Sequence, residues 1–307
     1  MKLSVVTTLY KSKIFLDTFL KEIIGAIQLL EIEEYELIFV NDGSPDDAME
    51  YLINRKITIN EIKVIDLSRN FGHHNAMQAG LKWAQGELVF LIDNDLETPP
   101  TFLTTCFEKL KSNPDADVIY GYQEKRKGGI IENSGGKMFW WTLNKFSDVY
   151  IPENMLTERL MTRRYVDNLL SLGDANIFMG GMMHWTGFRQ IGIPVVKSLR
   201  VGESTYSTKK RFKLMLLAIT SFSGKPLEYL FFFGLLITII SLIAIIYLLV
   251  NKIIFGDAVQ LGWTSLVALN IFILGIISTF LGLIGIYLYK IFTQVQNRPN
   301  YIIRNVY

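Results

Sequence analysis

The feature that most restricts this chain is an alternation of strand and helix patterns through its first half. Four short apolar, β-branched runs, Leu3–Leu9, Tyr35–Asn41, Ile62–Leu67 and Leu88–Ile92, read as strands. Between them lie helical patterns at Ile14–Leu30, Asp46–Asn54 and Asn75–Gln85; in the first, Phe19, Ile23, Ile27 and Leu30 recur three or four apart. Short connections in such an order predict an α/β fold, with a mostly parallel sheet covered by helices on both faces. In sheets of this kind ligands bind beyond the carboxyl ends of the strands. Polar residues collect at those ends: Asn41-Asp42-Gly43-Ser44, Ser68-Arg69-Asn70 and Asp93-Asn94-Asp95.

The last third reads differently. Tyr229–Val250 and Leu266–Tyr289 are runs of 22 and 24 residues without a charge. About 20 apolar helical residues cross a hydrocarbon core, so both runs are expected to span a membrane. Residues 209–307 hold nine basic and two acidic side chains, and the basic ones flank the two runs. The positive-inside rule then places both termini in the cytoplasm of a multi-pass inner-membrane protein. The expected division is a catalytic domain at 1–208, an amphipathic juxtamembrane helix at 209–228, a two-span hairpin at 229–290 and a cytoplasmic tail at 291–307. A composition that is half hydrophobic and one-fifth charged excludes a disordered chain. The single cysteine, Cys106, excludes an internal disulfide, and with three histidines makes a Cys/His zinc site a poor expectation. Met1–Val6 lacks the pattern of a secretion signal.

Each strand-end cluster has a bland alternative. Asp93 and Asp95 can hold a hard divalent cation that bridges phosphate oxygens, yet two nearby carboxylates are a common pattern. The chain has a second instance, Asp115-Ala116-Asp117, which precedes its strand and is expected at the wrong edge as a solvated turn. Asn41–Asp46 reads first as a turn with a helix cap, and second as a nucleoside contact through Asp42. Ser68–His74, with an Arg, an Asn and two His around Gly72, suits a phosphate or sugar contact better than an idle loop. Lys125–Lys137, rich in Gly and basic residues, reads as a loop over the site.

Taken in order, VVTTLY, ELIFVNDGSPDD, LSRNFGHHNAMQAGL, LVFLIDNDLETPP, RLMTRR, GGMMHWTGF and SFSGKPL resemble the polyprenyl-phosphate glycosyltransferases of glycosyltransferase family 2, over nearly the whole chain. The resemblance implies a GT-A domain, a nucleotide-sugar donor, Mg²⁺ or Mn²⁺, and a polyprenyl phosphate acceptor in the membrane. It implies that Asp42, Ser68 and Arg69 serve the donor and that Asp93 and Asp95 serve the metal and diphosphate. Arg126, Arg159 and Arg163 would handle the acceptor phosphate, and the family suggests a homotetramer. One departure touches chemistry. Where many members have an Asp proposed as base, this chain has Thr157, with Glu158 next. A phosphate monoester has a second pKa of about 6, so the nucleophilic oxygen needs little deprotonation.

The implied reaction is inverting transfer of one sugar, from UDP-glucose or a related UDP-sugar, to undecaprenyl phosphate on the cytoplasmic leaflet, with Asp95, Arg159 and Glu158 as the catalytic candidates. A GDP-mannose donor is the alternative. A processive polysaccharide synthase would carry a Gln-x-x-Arg-Trp motif and more spans; an idle interaction subunit would be expected to lose Asp42 or Asp95. No nucleic-acid partner is expected.

Overall fold

A computed structural model of the protein describes residues 1–124, 144–145, 151–175, 177–196, 220, 223–255 and 263–307. The strands are β1 (Lys2–Leu9), β2 (Glu34–Asn41), β3 (Ile62–Leu67), β4 (Leu88–Leu91), β5 (Val118–Tyr122), β6 (Met155–Thr162), β7 (Gln190–Pro194) and β8 (Ile303–Val306). The helices are α1 (Leu16–Leu29), α2 (Ala48–Lys56), α3 (His73–Trp83), α4 (Phe102–Lys111), α5 (Arg163–Ser171), α6 (Met179–Trp185), α7 (Lys225–Phe255) and α8 (Trp263–Gln296).

All eight strands join one sheet in the order β7-β5-β6-β4-β1-β2-β3-β8. Its centre, β4-β1-β2-β3, is parallel, as the strand–helix alternation requires. The register levels the strand ends: Leu9 lies opposite Asn41, and Asn41 opposite Asp66. β6 returns antiparallel beside β4, with Leu91 opposite Arg159 and Leu88 opposite Thr162. Arg159 is therefore near the carboxyl edge of the parallel strands, and Thr162 near the opposite edge.

Buried on both faces, the central strands are nearly continuous hydrophobic runs. One face packs on α1, α2 and α4 through residues such as Phe19, Ile23, Leu52 and Leu103. The other packs on α3, α5 and α6 through Met77, Leu81, Tyr165 and Met182. Helix α3 comes very close to the sheet because Gly80 has no side chain. A Cβ there would lie 2.4 Å from Val6 Cγ1.

The C-terminal residues depart from the tail reading. β8 pairs antiparallel with β3 and covers what would otherwise be the sheet's open edge. The signal was faint, a four-residue strand after Arg298-Pro299 that has no partner nearby in sequence.

The membrane expectation is corrected. The two apolar runs do lie within long helices, α7 and α8, but among the described residues no helix is long and apolar enough to cross a membrane. The two spans and the multi-pass inner-membrane placement built on them are therefore not supported. Residues 209–219 and 221–222 of the juxtamembrane helix expected at 209–228, and the loop at 125–137, lie outside the described residues.

Candidate active site

Three loops meet at the carboxyl edge of the parallel strands, and side chains stitch them together. Asp42, at the end of β2, is 3% exposed. Its Oδ1 accepts from the Phe71 amide at 2.7 Å and its Oδ2 from the Gly72 amide at 3.0 Å. The Asn70 side chain donates back to the Asp42 carbonyl at 2.9 Å. Burial raises the Asp42 pKa and the two amide donors pull it down. Asp42 thus ties the β2 loop to the entry of α3, close to the helix-cap alternative, across a sequence distance a local cap does not have. Gly43 lets the loops touch: its φ is +62°, and a Cβ would lie 2.7 Å from the Asn70 amide nitrogen.

The Asp93-Asn94-Asp95 loop is fixed through its middle residue. Asn94 is 5% exposed and donates to the Thr8 carbonyl at 3.0 Å. The aspartates on either side of it are only partly covered. Asp95 Oδ1 accepts the Glu97 amide at 3.1 Å. His73 joins two loops: Nδ1 lies 3.0 Å from Thr8 Oγ1, and Nε2 lies 3.4 Å from Asp93 Oδ1. Burial lowers the His73 pKa, opposed by the carboxylates of Asp42, Glu158 and Asp95. His74, behind it, is pushed down to about 4 by burial and by His73. A neutral His73 that keeps its proton on Nε2 can accept from Thr8 Oγ1 through Nδ1 while facing Asp93.

Ser68 is held by backbone, its amide donating to the Ile302 carbonyl at 2.9 Å. Arg69 is exposed, with its guanidinium 4.0 Å from the centre of the Phe71 ring. Glu158, 1% exposed, accepts from Thr98 Oγ1 at 2.8 Å, which links β6 to the loop carrying Asp93 and Asp95. Arg159 has no exposure. Its Nε and Nη2 donate to the Thr157 and Leu156 carbonyls at 3.1 and 3.0 Å. Nη1 is buried without a hydrogen-bond partner, and burial lowers the group's pKa.

Asp42, Ser68, Arg69, Asp93 and Asp95 thus share one edge, with Glu158 joined to it through Thr98. Arg163 is not brought there. Its amide donates to the Glu87 carbonyl at 2.8 Å and its Nε to the Gly86 carbonyl at 3.0 Å, both at the opposite edge before β4. The RLMTRR segment runs along β6 and into α5, so its two ends cannot serve one site. Arg126 lies outside the described residues. Sequence reasoning flagged His73 only as part of a loop, and it missed the Thr98–Glu158 bond, whose partners are 60 residues apart.

Among the described residues no three His, Cys, Asp or Glu side chains form a metal cage. Two hard carboxylates on one loop still suit Mg²⁺ or Mn²⁺, provided other oxygens complete the shell, as a diphosphate does.

Residues 4–166 match the model of glycosyl transferase family 2. The chain is 40% identical over its full length, and 89% of the relative's, to a protein of Mycobacterium tuberculosis described as a putative glycosyltransferase. It is 36% identical to an uncharacterized glycosyltransferase of Bacillus subtilis, over 90% of this chain and 85% of that one. Against the bactoprenol glucosyl transferase of Shigella phage SfII the figures are 33%, 99% and 98%. Among solved structures, a mannosyltransferase from Pyrobaculum calidifontis has 16% identity and a TM-score of 0.47 over 96% of this chain and 86% of that one, too slight a likeness to argue from. With the family model covering half the chain and close relatives covering all of it, the protein belongs to glycosyl transferase family 2 and is a glycosyltransferase.

Proposed function

We propose that the protein transfers one sugar from a nucleotide-sugar donor, UDP-glucose or a related UDP-sugar, to a polyprenyl phosphate, giving a polyprenyl-monophosphate sugar with inverted anomeric configuration. The observation that carries the reading is the meeting of Asp42, Ser68–Arg69 and Asp93/Asp95 at one sheet edge, where open α/β sheets bind ligands. The acceptor class is supported by the full-length similarity to relatives named bactoprenol glucosyl transferase.

On this reading the second- and third-strand loops receive the nucleoside, and Asp93 and Asp95 hold a divalent cation against the diphosphate. The cation, when bound, neutralises the charge that builds on the leaving nucleotide. Asn94 and His73 keep the two carboxylates in place, which spares reorganisation during the reaction. Arg159 offers its unpartnered Nη1 as a donor to the acceptor phosphate; a buried cation lacking one bond is costly unless a ligand supplies it. Glu158, bonded to Thr98, positions the loop and is not needed to take a proton, because the acceptor oxygen is already ionised near neutral pH.

The test is to incubate purified protein with undecaprenyl phosphate, Mg²⁺ and separately radiolabelled UDP-glucose, UDP-galactose, UDP-N-acetylglucosamine and GDP-mannose, then extract the lipid. Label should enter lipid from a UDP-sugar and return to water on mild acid, as a monophosphate-linked sugar does. Transfer from GDP-mannose alone would replace the donor assignment. No lipid label from any donor would remove the acceptor class.

A further inference from the structure

We propose that Arg304, on the C-terminal strand, is a positioning residue that holds both nucleoside-side loops in their working arrangement. The inference takes its ligand from the nucleotide-sugar reading above, but its geometry stands without it.

The guanidinium of Arg304 grips the end of β3 and the start of the loop that follows it. Nη2 donates to the Ser68 carbonyl at 2.6 Å, while Nη1 lies 3.4 Å from Asp66 Oδ2. Ser68 is thereby held through both its carbonyl and its amide by the C-terminal segment, since its amide already donates to Ile302, the residue before β8. Asp66 passes the restraint onward. Its side chain is only 4% exposed, and a buried carboxylate must be paired. Oδ1 accepts from Asn41 Nδ2 at 2.8 Å. Asn41 in turn accepts the Ser44 amide through Oδ1 at 3.0 Å. Ser44 Oγ accepts the Lys11 amide at 2.8 Å and donates to Asp46. A continuous set of bonds therefore runs from the chain's end to the loops after β1, β2 and β3. A forked guanidinium suits this task, because two donors of fixed geometry reach the backbone carbonyl of Ser68 and the carboxylate of Asp66 together; an ammonium is a single point. β8 is in turn anchored from behind, where the Asn300 side chain donates to the Asp174 carbonyl at 2.9 Å and to Gln78 at 3.2 Å.

The experiment compares the full chain with Arg304→Met, Arg304→Lys and Asn305→Ala. Asn305 is on the same strand, and its side chain donates to the Tyr307 hydroxyl, outside the bond chain. Three readouts are taken: thermal stability, hydrogen exchange in peptides covering 41–46 and 68–72, and calorimetric affinity for UDP and for GDP with Mn²⁺. Arg304→Met should speed exchange in both peptides and weaken the nucleotide that the wild type binds by about tenfold. In turnover assays the loss should fall on donor KM more than on kcat. Arg304→Lys should fall between, and Asn305→Ala should match wild type. Unchanged exchange and affinity in Arg304→Met would overturn the proposal, as would equal effects in Asn305→Ala. Should Arg304→Met fail to fold, Arg304→Lys decides by the same measurements. A wild type that binds neither nucleotide would remove the donor reading, and the exchange data would still decide the role of Arg304.

Discussion

The two edges of the central sheet carry similar chemistry put to different use. Each has an Asp-x-Asp triplet, and each has arginines nearby. At the carboxyl edge, Asp93-Asn94-Asp95 is hung from β1 by Asn94, and the flanking carboxylates remain partly accessible beside His73. At the opposite edge, Asp115-Ala116-Asp117 is closed by ion pairs. Asp117 Oδ1 accepts from Arg164 Nη2 at 2.7 Å and from Thr162 Oγ1 at 3.1 Å. Asp115 meets Arg189 at 3.2 Å. The expected solvated turn is thus only half correct: Asp115 is a surface residue, whereas Asp117 is buried and paired. What makes a carboxylate pair available to a ligand is its place on the sheet and the residue between the acids, not the pattern itself.

Substitutions at matched positions sharpen the contrast. Asp95→Asn should cost the most, two to three decades of turnover or about 3–4 kcal/mol in the transition state. The amide oxygen keeps the bond to Glu97, so the melting temperature should hold. Near-wild-type transfer, or full transfer in excess EDTA, would show that the two edges do not differ in this way.

The corresponding change at the other edge, Asp117→Asn, should act on stability and spare turnover. Charge-assisted bonds to a buried carboxylate contribute about 1–3 kcal/mol. Arg164 is largely exposed, which brings the expectation down to about 1 kcal/mol. Thermal or urea unfolding measures the loss; a kcat that falls with it would tie this edge to catalysis.

Glu158→Gln should cost less than about tenfold in kcat, because the amide oxygen still accepts from Thr98. The pH profile separates the alternatives. A phosphate nucleophile is active as the dianion, so activity should rise through a pKa of about 6 and keep that acid limb in the variant. Loss of both turnover and limb would make Glu158 the base.

The smallest effect belongs to Asp115→Ala. An exposed pair contributes little, and unfolding free energy should move by no more than about 0.5 kcal/mol with transfer unchanged. A larger change would mean that Asp115 does more than decorate a turn.

Local pattern made the parallel half legible. The strand at Leu88–Ile92 with Asp93 beyond it, and the helix pattern at Asn75–Gln85, lie within a residue or two of β4 and α3. Hydrophobic period and chain order determine such elements, and the short connections leave few ways to arrange them. The long apolar runs were legible as helix, but among the described residues no helix is long and apolar enough to cross a membrane. Arg159 and Arg163 were read as one acceptor cluster, yet Arg159 lies opposite Leu91 at one end of β4, whereas Thr162, just before Arg163, lies opposite Leu88 at the other. A strand separates residues that adjacency in sequence makes appear together.

By itself the sequence determined the α/β class, the parallel core and the edge at which its polar loops collect, since these follow from periodicity and connection length. Only the tertiary structure decided that Asp42 binds the start of α3, that Glu158 meets Thr98, and that Arg304 reaches Ser68 and Asp66. The last of these joins residues 236 positions apart. Such bonds depend on which strand ends come level in the sheet, and that register is set by the packing of both faces together, which no local stretch of the chain encodes.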